Sequence, residues 1–290
     1  DGSLPARLAI WGLLPEAYAA ITVGAVVALL RLKSTSTPVV LLRNCVTDSS
    51  AKELAEGVSL YGKKADLVAL ELPYNLQMGE KGLEVLVDSI LKAEIPIEDL
   101  DLSYNPQLGD AAIKALQPML DEKAAKLNSL RLQGCDVTAA SLERLTARGR
   151  AERLRLQLLD LSGNALTGSG EAIGELMAMP ILEELCLACC SLTYDDVKEI
   201  AEQLPYTSMK SLQLAGNGLG KAHLEALAEQ LPECRLDELG LEGNEIKADD
   251  LGCLGTAWAK RPFSRLKLSG NLMSQSEIAS FVLALRSLQF

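Results

Sequence analysis

The chain has 290 residues, 48% of them hydrophobic and only 4% aromatic, with a formal net charge of −11. Its core must be Leu, Ala, Val and Ile, and the acidic balance argues against nucleic acid, whose affinity comes mainly from Lys and Arg on phosphates. Seven cysteines, Cys45, Cys135, Cys186, Cys189, Cys190, Cys234 and Cys253, are an odd set, and no Asn-x-Ser/Thr acceptor occurs, which argues against a secreted disulfide scaffold and for a reducing compartment.

The first residue is Asp1 rather than Met, which fits processing on import into an organelle or trimming from a longer repeat protein. From Leu8 to Leu30 the only charge is Glu16. Pro15 and Glu16 suit a first helical turn, where a missing N–H costs little and an acid meets the positive end of the dipole. A helix over residues 15–32 is about 27 Å long, close to the ~30 Å of bilayer hydrocarbon. It is apolar on every face, with Trp11 and Tyr18 near one end and Arg31 and Lys33 at the other as interfacial anchors. Ala20, Gly24 and Ala28 form a small-residue stripe against which another helix packs closely in lipid. The segment predicts a transmembrane helix; a helix capping the first repeat and a retained targeting segment are the alternatives. Ser34–Pro38 reads as a polar linker, dividing the chain into an N-terminal segment, 1–34, and a domain, 35–290.

That domain is repetitive. In its clearest unit, Leu100, Leu102, Asn105 and Leu108 are followed by Ala112, Ile113, Leu116 and Met119. The alternation makes a short strand and the later spacing a returning helix. The frame recurs at Leu159–Leu161–Asn164–Leu166, Leu212–Leu214–Asn217–Leu219, Leu239–Leu241–Asn244–Ile246 and Leu266–Leu268–Asn271–Met273. An Asn, or a Cys in its place, stands at Asn44, Asn75, Asn105, Cys135, Asn164, Cys190, Asn217, Asn244 and Asn271, at intervals of 31, 30, 30, 29, 26, 27, 27 and 27 residues. This is the signature of a solenoid of about nine units. The short amide suits bonding to backbone groups of neighbouring coils that turn away from the strand and would otherwise be buried unpaired.

These residues resemble the leucine-rich repeat family, and the period with its intervening helix is similar to the ribonuclease-inhibitor-like branch; the resemblance covers Val39 to Phe290. It implies an α/β solenoid with a curved parallel sheet inside and helices on the convex side. Relatives of this branch include enzyme inhibitors, GTPase-activating proteins, innate-immune sensors and cytoskeletal regulators, so the fold alone does not choose among functions.

Motifs that carry chemistry elsewhere have structural readings here. In the cluster Cys186–Cys190, Cys190 is a ladder residue and Cys186 a strand residue, and His223 is the sole histidine, too few partners for a closed zinc site. Gly216–Lys221 loosely resembles a phosphate loop, with one residue too few and Ala222 where a hydroxyl is needed. Gly168–Gly170 lacks the third glycine of a dinucleotide site. Asp195–Asp196 and Asp249–Asp250 fall at helix starts, where acids are favoured. No nucleophile has an evident base. The expectation is a protein with no catalytic, metal or cofactor site.

What remains is surface. Between inward leucines, Val40, Glu71, Asp101, Arg131, Asp160, Cys186, Gln213, Gly240 and Lys267 point to the concave face, with Asp99 beside them and Tyr74 and Tyr104 as aromatic anchors. The acids Glu71, Asp99 and Asp101 fit a basic partner segment. At the C-terminus, Phe281, Val282, Leu283, Leu285, Leu288 and Phe290 form an apolar end that a partner covers or that turns inward. The reading is a non-catalytic interaction scaffold, anchored in a plastid or mitochondrial membrane as an accessory subunit, contacting other subunits, their transmembrane helices and lipid. The alternative is a soluble, cytoplasmic regulator, an inhibitor or GTPase-activating module, whose N-terminal helix only caps the solenoid.

Overall fold

The computed structural model describes residues 7–11, 19–31, 38–121, 126–147 and 151–287. Ten strands, each followed by a helix, run through them. They fall into two compact units, Asp1–Ser141 with Leu154–Leu159, and Leu142–Arg153 with Asp160–Phe290.

The first unit holds β1 (Arg7–Trp11), α1 (Ala19–Arg31), β2 (Val39–Arg43), α2 (Asp48–Tyr61), β3 (Ala69–Glu71), α3 (Glu80–Lys92), β4 (Asp99–Asp101), α4 (Ala111–Asp121) and β5 (Ser129–Arg131). Its strands pair in parallel and in chain order, with Leu70, Leu100 and Leu130 in register. Two elements, α5 (Ala139–Thr146) and β6 (Leu158–Asp160), are divided between the units. The second unit continues with α6 (Gly170–Met177), β7 (Glu184–Cys186), α7 (Tyr194–Gln203), β8 (Ser211–Gln213), α8 (Lys221–Gln230), β9 (Glu238–Gly240), α9 (Leu251–Lys260), β10 (Arg265–Lys267) and α10 (Gln275–Ser287). There Leu185, Leu212, Leu239 and Leu266 are in register. In both units the registered leucines belong to one strand face, and all but the half-buried Leu266 pack with the helices' apolar faces into the core.

The N-terminal segment differs from the expectation. Arg7–Trp11 is a strand, paired with β2 from Arg7↔Val39 to Trp11↔Arg43. Its Leu8 and Ile10 are half-buried while Arg7, Ala9 and Trp11 are exposed, the period-two pattern of a strand. The following helix has 13 residues, about 20 Å, and no helix among the described residues is long and apolar enough to cross a membrane. Ala19, Val23, Val26 and Leu30 form its buried face, and it packs on α2, where the Val27 methyls fill the space beside Gly57. Of the small-residue stripe, Ala20 and Ala28 are exposed and Gly24 lies beside the Glu53 carboxylate. The described parts of the apolar run are therefore strand and helix of a further repeat. Pro15, Glu16, Tyr18, Lys33 and most of the Ser34–Pro38 linker lie outside the described residues.

The ladder holds adjacent coils together. Asn75 Oδ1 accepts from the Cys45 and Val46 N–H groups at 2.8 and 2.7 Å, and its Nδ2 donates to the Leu42 carbonyl at 2.8 Å. Asn244 does the same for Asn217 N–H, Leu219 N–H and the Leu214 carbonyl. In the β2 repeat the ladder position is the buried Cys45, not Asn44, which is exposed. At Cys135 and Cys190 a thiol donates to Leu102 and Leu161 carbonyls at 3.0 and 3.3 Å. Burial pushes both thiols up to about 12, so they stay protonated and keep that donation.

Acids at helix starts tie one repeat to the next. Asp48 Oδ1 accepts from Gly79 and Gly82 N–H at the start of α3. Asp196 accepts from Thr193, from Gly168 N–H at 3.0 Å and from Gly170 N–H at 2.8 Å. Burial raises the Asp196 carboxyl, but these donors outweigh it and hold the carboxyl below its ordinary value of 3.8.

Two outcomes follow. Asn75→Ala strands three buried backbone groups and lowers stability by about 3 kcal/mol, seen as a lower midpoint of urea unfolding; a midpoint unchanged within error would show that the ladder is dispensable. Because the folded Asp196 carboxyl is depressed, its contribution is present above the ordinary carboxylate value and fades as pH falls through the folded one. Asp196→Asn therefore costs about 2 kcal/mol at pH 7, and the gap between variant and wild type closes in acid. Unfolding midpoints followed downward from pH 7 measure it.

Candidate interaction surface

On each strand the residues flanking the registered leucine point away from the helices. In the first unit these include Glu71, Asp99, Asp101 and Arg131, but not Val40: it is in register with Leu70 and fully buried, and Leu41 stands opposite Glu71. The continuous apolar run Val39–Leu42 hides the alternation that identifies the outward residue elsewhere.

Most charges on this face are already engaged. Arg7 pairs with Glu71, and Arg131 Nη1 with Asp99 Oδ1 at 2.6 Å. Asp101 and Asp160 each accept from a backbone N–H two residues on, Ser103 at 2.8 Å and Ser162 at 2.9 Å. In the second unit Glu238 receives Lys267 Nζ at 2.6 Å, Arg265 Nε at 2.9 Å and Gln213 Nε2 at 3.0 Å. The Lys267 hydrogen bond does most to hold the Glu238 carboxyl below its usual range, and Glu238 in turn raises Lys267. Gly240 leaves the room that the Gln213 amide occupies. Sequence inspection found Lys267 but not Glu238; its place one residue before Leu239 matches that of Asp99 before Leu100.

A second row lies just beyond the strands, where the chain turns into the ladder. The residue before each ladder position has positive φ: Asn44, Tyr74, Tyr104, Gly134, Gly163, Cys189, Gly216, Gly243 and Gly270. Glycine adopts this conformation freely, whereas a residue with a Cβ carries a cost of roughly 1–2 kcal/mol. Tyr74 and Tyr104, at φ 59° each, bear it with bulky side chains. Their rings stack 4.4 Å apart at 17°. The Arg43 guanidinium lies 4.0 Å from the Tyr74 ring centroid and 5.8 Å from that of Trp11, and Gly134 makes room at the other end, since a Cβ there would come within 3.0 Å of the Tyr104 ring. The result, within the first unit, is one column: Trp11, Arg43, Tyr74, Tyr104. Trp11 is 68% exposed.

The remaining motifs serve the scaffold. The Gly168 and Gly170 N–H groups go to Asp196. His223 Nδ1 accepts from Gly220 N–H at 3.1 Å, closing the first turn of α8, and burial is the chief reason its pKa is lowered. Lys221 pairs with Glu225. Among the described residues no group of His, Cys, Asp and Glu could hold a metal ion. At the C-terminal end a cavity of about 470 Å³ is lined by Trp258, Leu266, Phe281, Val282 and Leu285, with Leu283 pointing outward; Leu288 and Phe290 lie outside the described residues.

No protein-family model matches the chain. It is 32% identical to the ribonuclease inhibitor of Mus musculus over 200 residues, 68% of this chain and 42% of that protein. It is also 32% identical to that of Sus scrofa over 197 residues, 67% of this chain and 42% of the relative. It thus spans less than half the length of these curated relatives. Among solved structures, one from the Rad7 and Elc1 complex in yeast aligns with TM-score 0.51 at 15% identity, over 93% of this chain and 81% of that one, a likeness of fold alone. The frame of strand, ladder residue and helix repeated through the chain, with 32% identity to ribonuclease inhibitors over two thirds of it, makes this a leucine-rich-repeat protein of the ribonuclease-inhibitor-like branch.

Proposed function

We propose that this chain is a non-catalytic protein-binding regulator of inhibitor type, holding its partner against the outward strand face, with β1 and α1 serving as one more repeat rather than as a membrane anchor. The 32% identity to ribonuclease inhibitors over two thirds of the chain carries the proposal. Those relatives are named for inhibiting a ribonuclease, and an enzyme that handles RNA presents Lys and Arg to phosphates. A net charge of −11 draws such a basic partner and speeds its association. The membrane-bound accessory subunit has less support, because the segment that suggested it packs on α2 through its buried face.

The two faces make different predictions for contact. A photocrosslinking amino acid at Ser129 or Glu184, both on the strand face, should trap a discrete protein adduct, while the same group at Lys92 or Glu229, exposed on helices, should not. Adducts from the helix positions alone would place the partner on the wrong side and end this proposal.

A further inference from the structure

We infer that the column of Trp11, Arg43, Tyr74 and Tyr104 is a docking site for a protein segment that presents one Asp or Glu carboxylate to Arg43; the inference rests on the protein-binding reading above. Three observations lead to it. Gly134, Gly163, Gly216, Gly243 and Gly270 occupy the left-handed position that Tyr74 and Tyr104 take, and ladder bonds form beside glycine as well, at Asn217 and Asn244. The fold therefore has no need of rings there, and a strained conformation kept without a folding reason points to function. Next, the Arg43 guanidinium sits over the Tyr74 ring at 4.0 Å and within 5.8 Å of the Trp11 ring and has no carboxylate partner among the described residues, whereas Arg7 and Arg131 are paired with Glu71 and Asp99. A guanidinium fixed in this way offers its fork of N–H groups pre-organised, and a carboxylate is the group that matches the fork. Because Glu71 and Asp99 are themselves neutralised by their arginines, they do not cancel the charge at Arg43. Finally, Trp, Tyr and Arg are the residues that dominate binding energy at interface centres, and here they are contiguous, with Trp11 largely exposed. Net negative charge would bring a basic partner near, and one carboxylate on it would fix its register.

The test selects a random-peptide phage library on the full chain and measures the enriched peptides against wild type, Arg43→Gln and Tyr74→Gly. Glycine suits the positive φ at position 74, so the second variant removes the ring and relieves the backbone. Enriched peptides should share an Asp or Glu beside an apolar residue. Each variant should weaken them by about tenfold or more. Changing the peptide's acid to its amide should cost as much on wild type and nothing further on Arg43→Gln. Peptides without a shared acid, no enrichment, or binding unchanged in both variants would overturn the inference. Crosslinking from Ser129 that persists in Arg43→Gln and Tyr74→Gly, together with any of those results, would leave the protein-binding reading standing and remove only the docking site.

Discussion

Each coil of this protein has backbone groups that point into the core where the chain leaves its strand, and no helix or sheet ladder reaches them. The residue three places after the inner leucine resolves this. Asn75 serves two N–H groups and one carbonyl of the preceding coil at once, and Asn217, Asn244 and Asn271 do comparable work further on. An orphaned buried amide costs more than a made bond gains, so this one position dictates the spacing of the inward leucines and the tight turn that follows them. The turn in turn requires a left-handed residue just before the ladder position, which is why glycine recurs there. Four repeats place another residue there, and the aromatic column exists because in two neighbouring ones it is tyrosine.

The same constraint reinterprets the N-terminal apolar segment. Charge-free residues from Ala17 to Leu30 carry the composition of a membrane helix, but composition does not report which neighbours a segment has. A strand beside β2 and a short helix beside α2 bury its apolar side chains on one face, with Val23 and Val26 fully enclosed and Ile21 68% exposed. An exposed isoleucine on a helix whose other side is packed is ordinary for a surface helix.

Periodicity was the legible part of this sequence. Leucines and asparagines at a near-constant interval gave the strands, the helices and their order, because every repeat faces the same burial problem. Two errors came from places where the period is blurred by composition: Asn44 stands beside the true ladder residue Cys45, and the unbroken apolar run Val39–Leu42 conceals which residue is outward. The strand β1 was missed because its alternation occupies only Arg7–Trp11, next to a long apolar run. Of the surface, single positions such as Glu71, Asp101, Arg131 and Lys267 could be assigned from alternation. Their pairings could not, since Arg7 and Glu71 lie 64 residues apart and Glu238 collects its partners from two neighbouring strands. Nor does any local pattern announce a left-handed tyrosine; the signal was the glycine found at the same place in other repeats.

One repeat rule extends through the first described residues, so that α1 packs on α2 through one face and leaves the other exposed. Single cysteines introduced at Ile21, Val23, Val26 and Ala28, labelled in aqueous buffer with a membrane-impermeant maleimide and read peptide by peptide by mass spectrometry, test this directly. Fast labelling at Ile21 and Ala28 with protection at Val23 and Val26 is the predicted result. Uniform protection of all four in native membranes, lifted together by detergent, would contradict it.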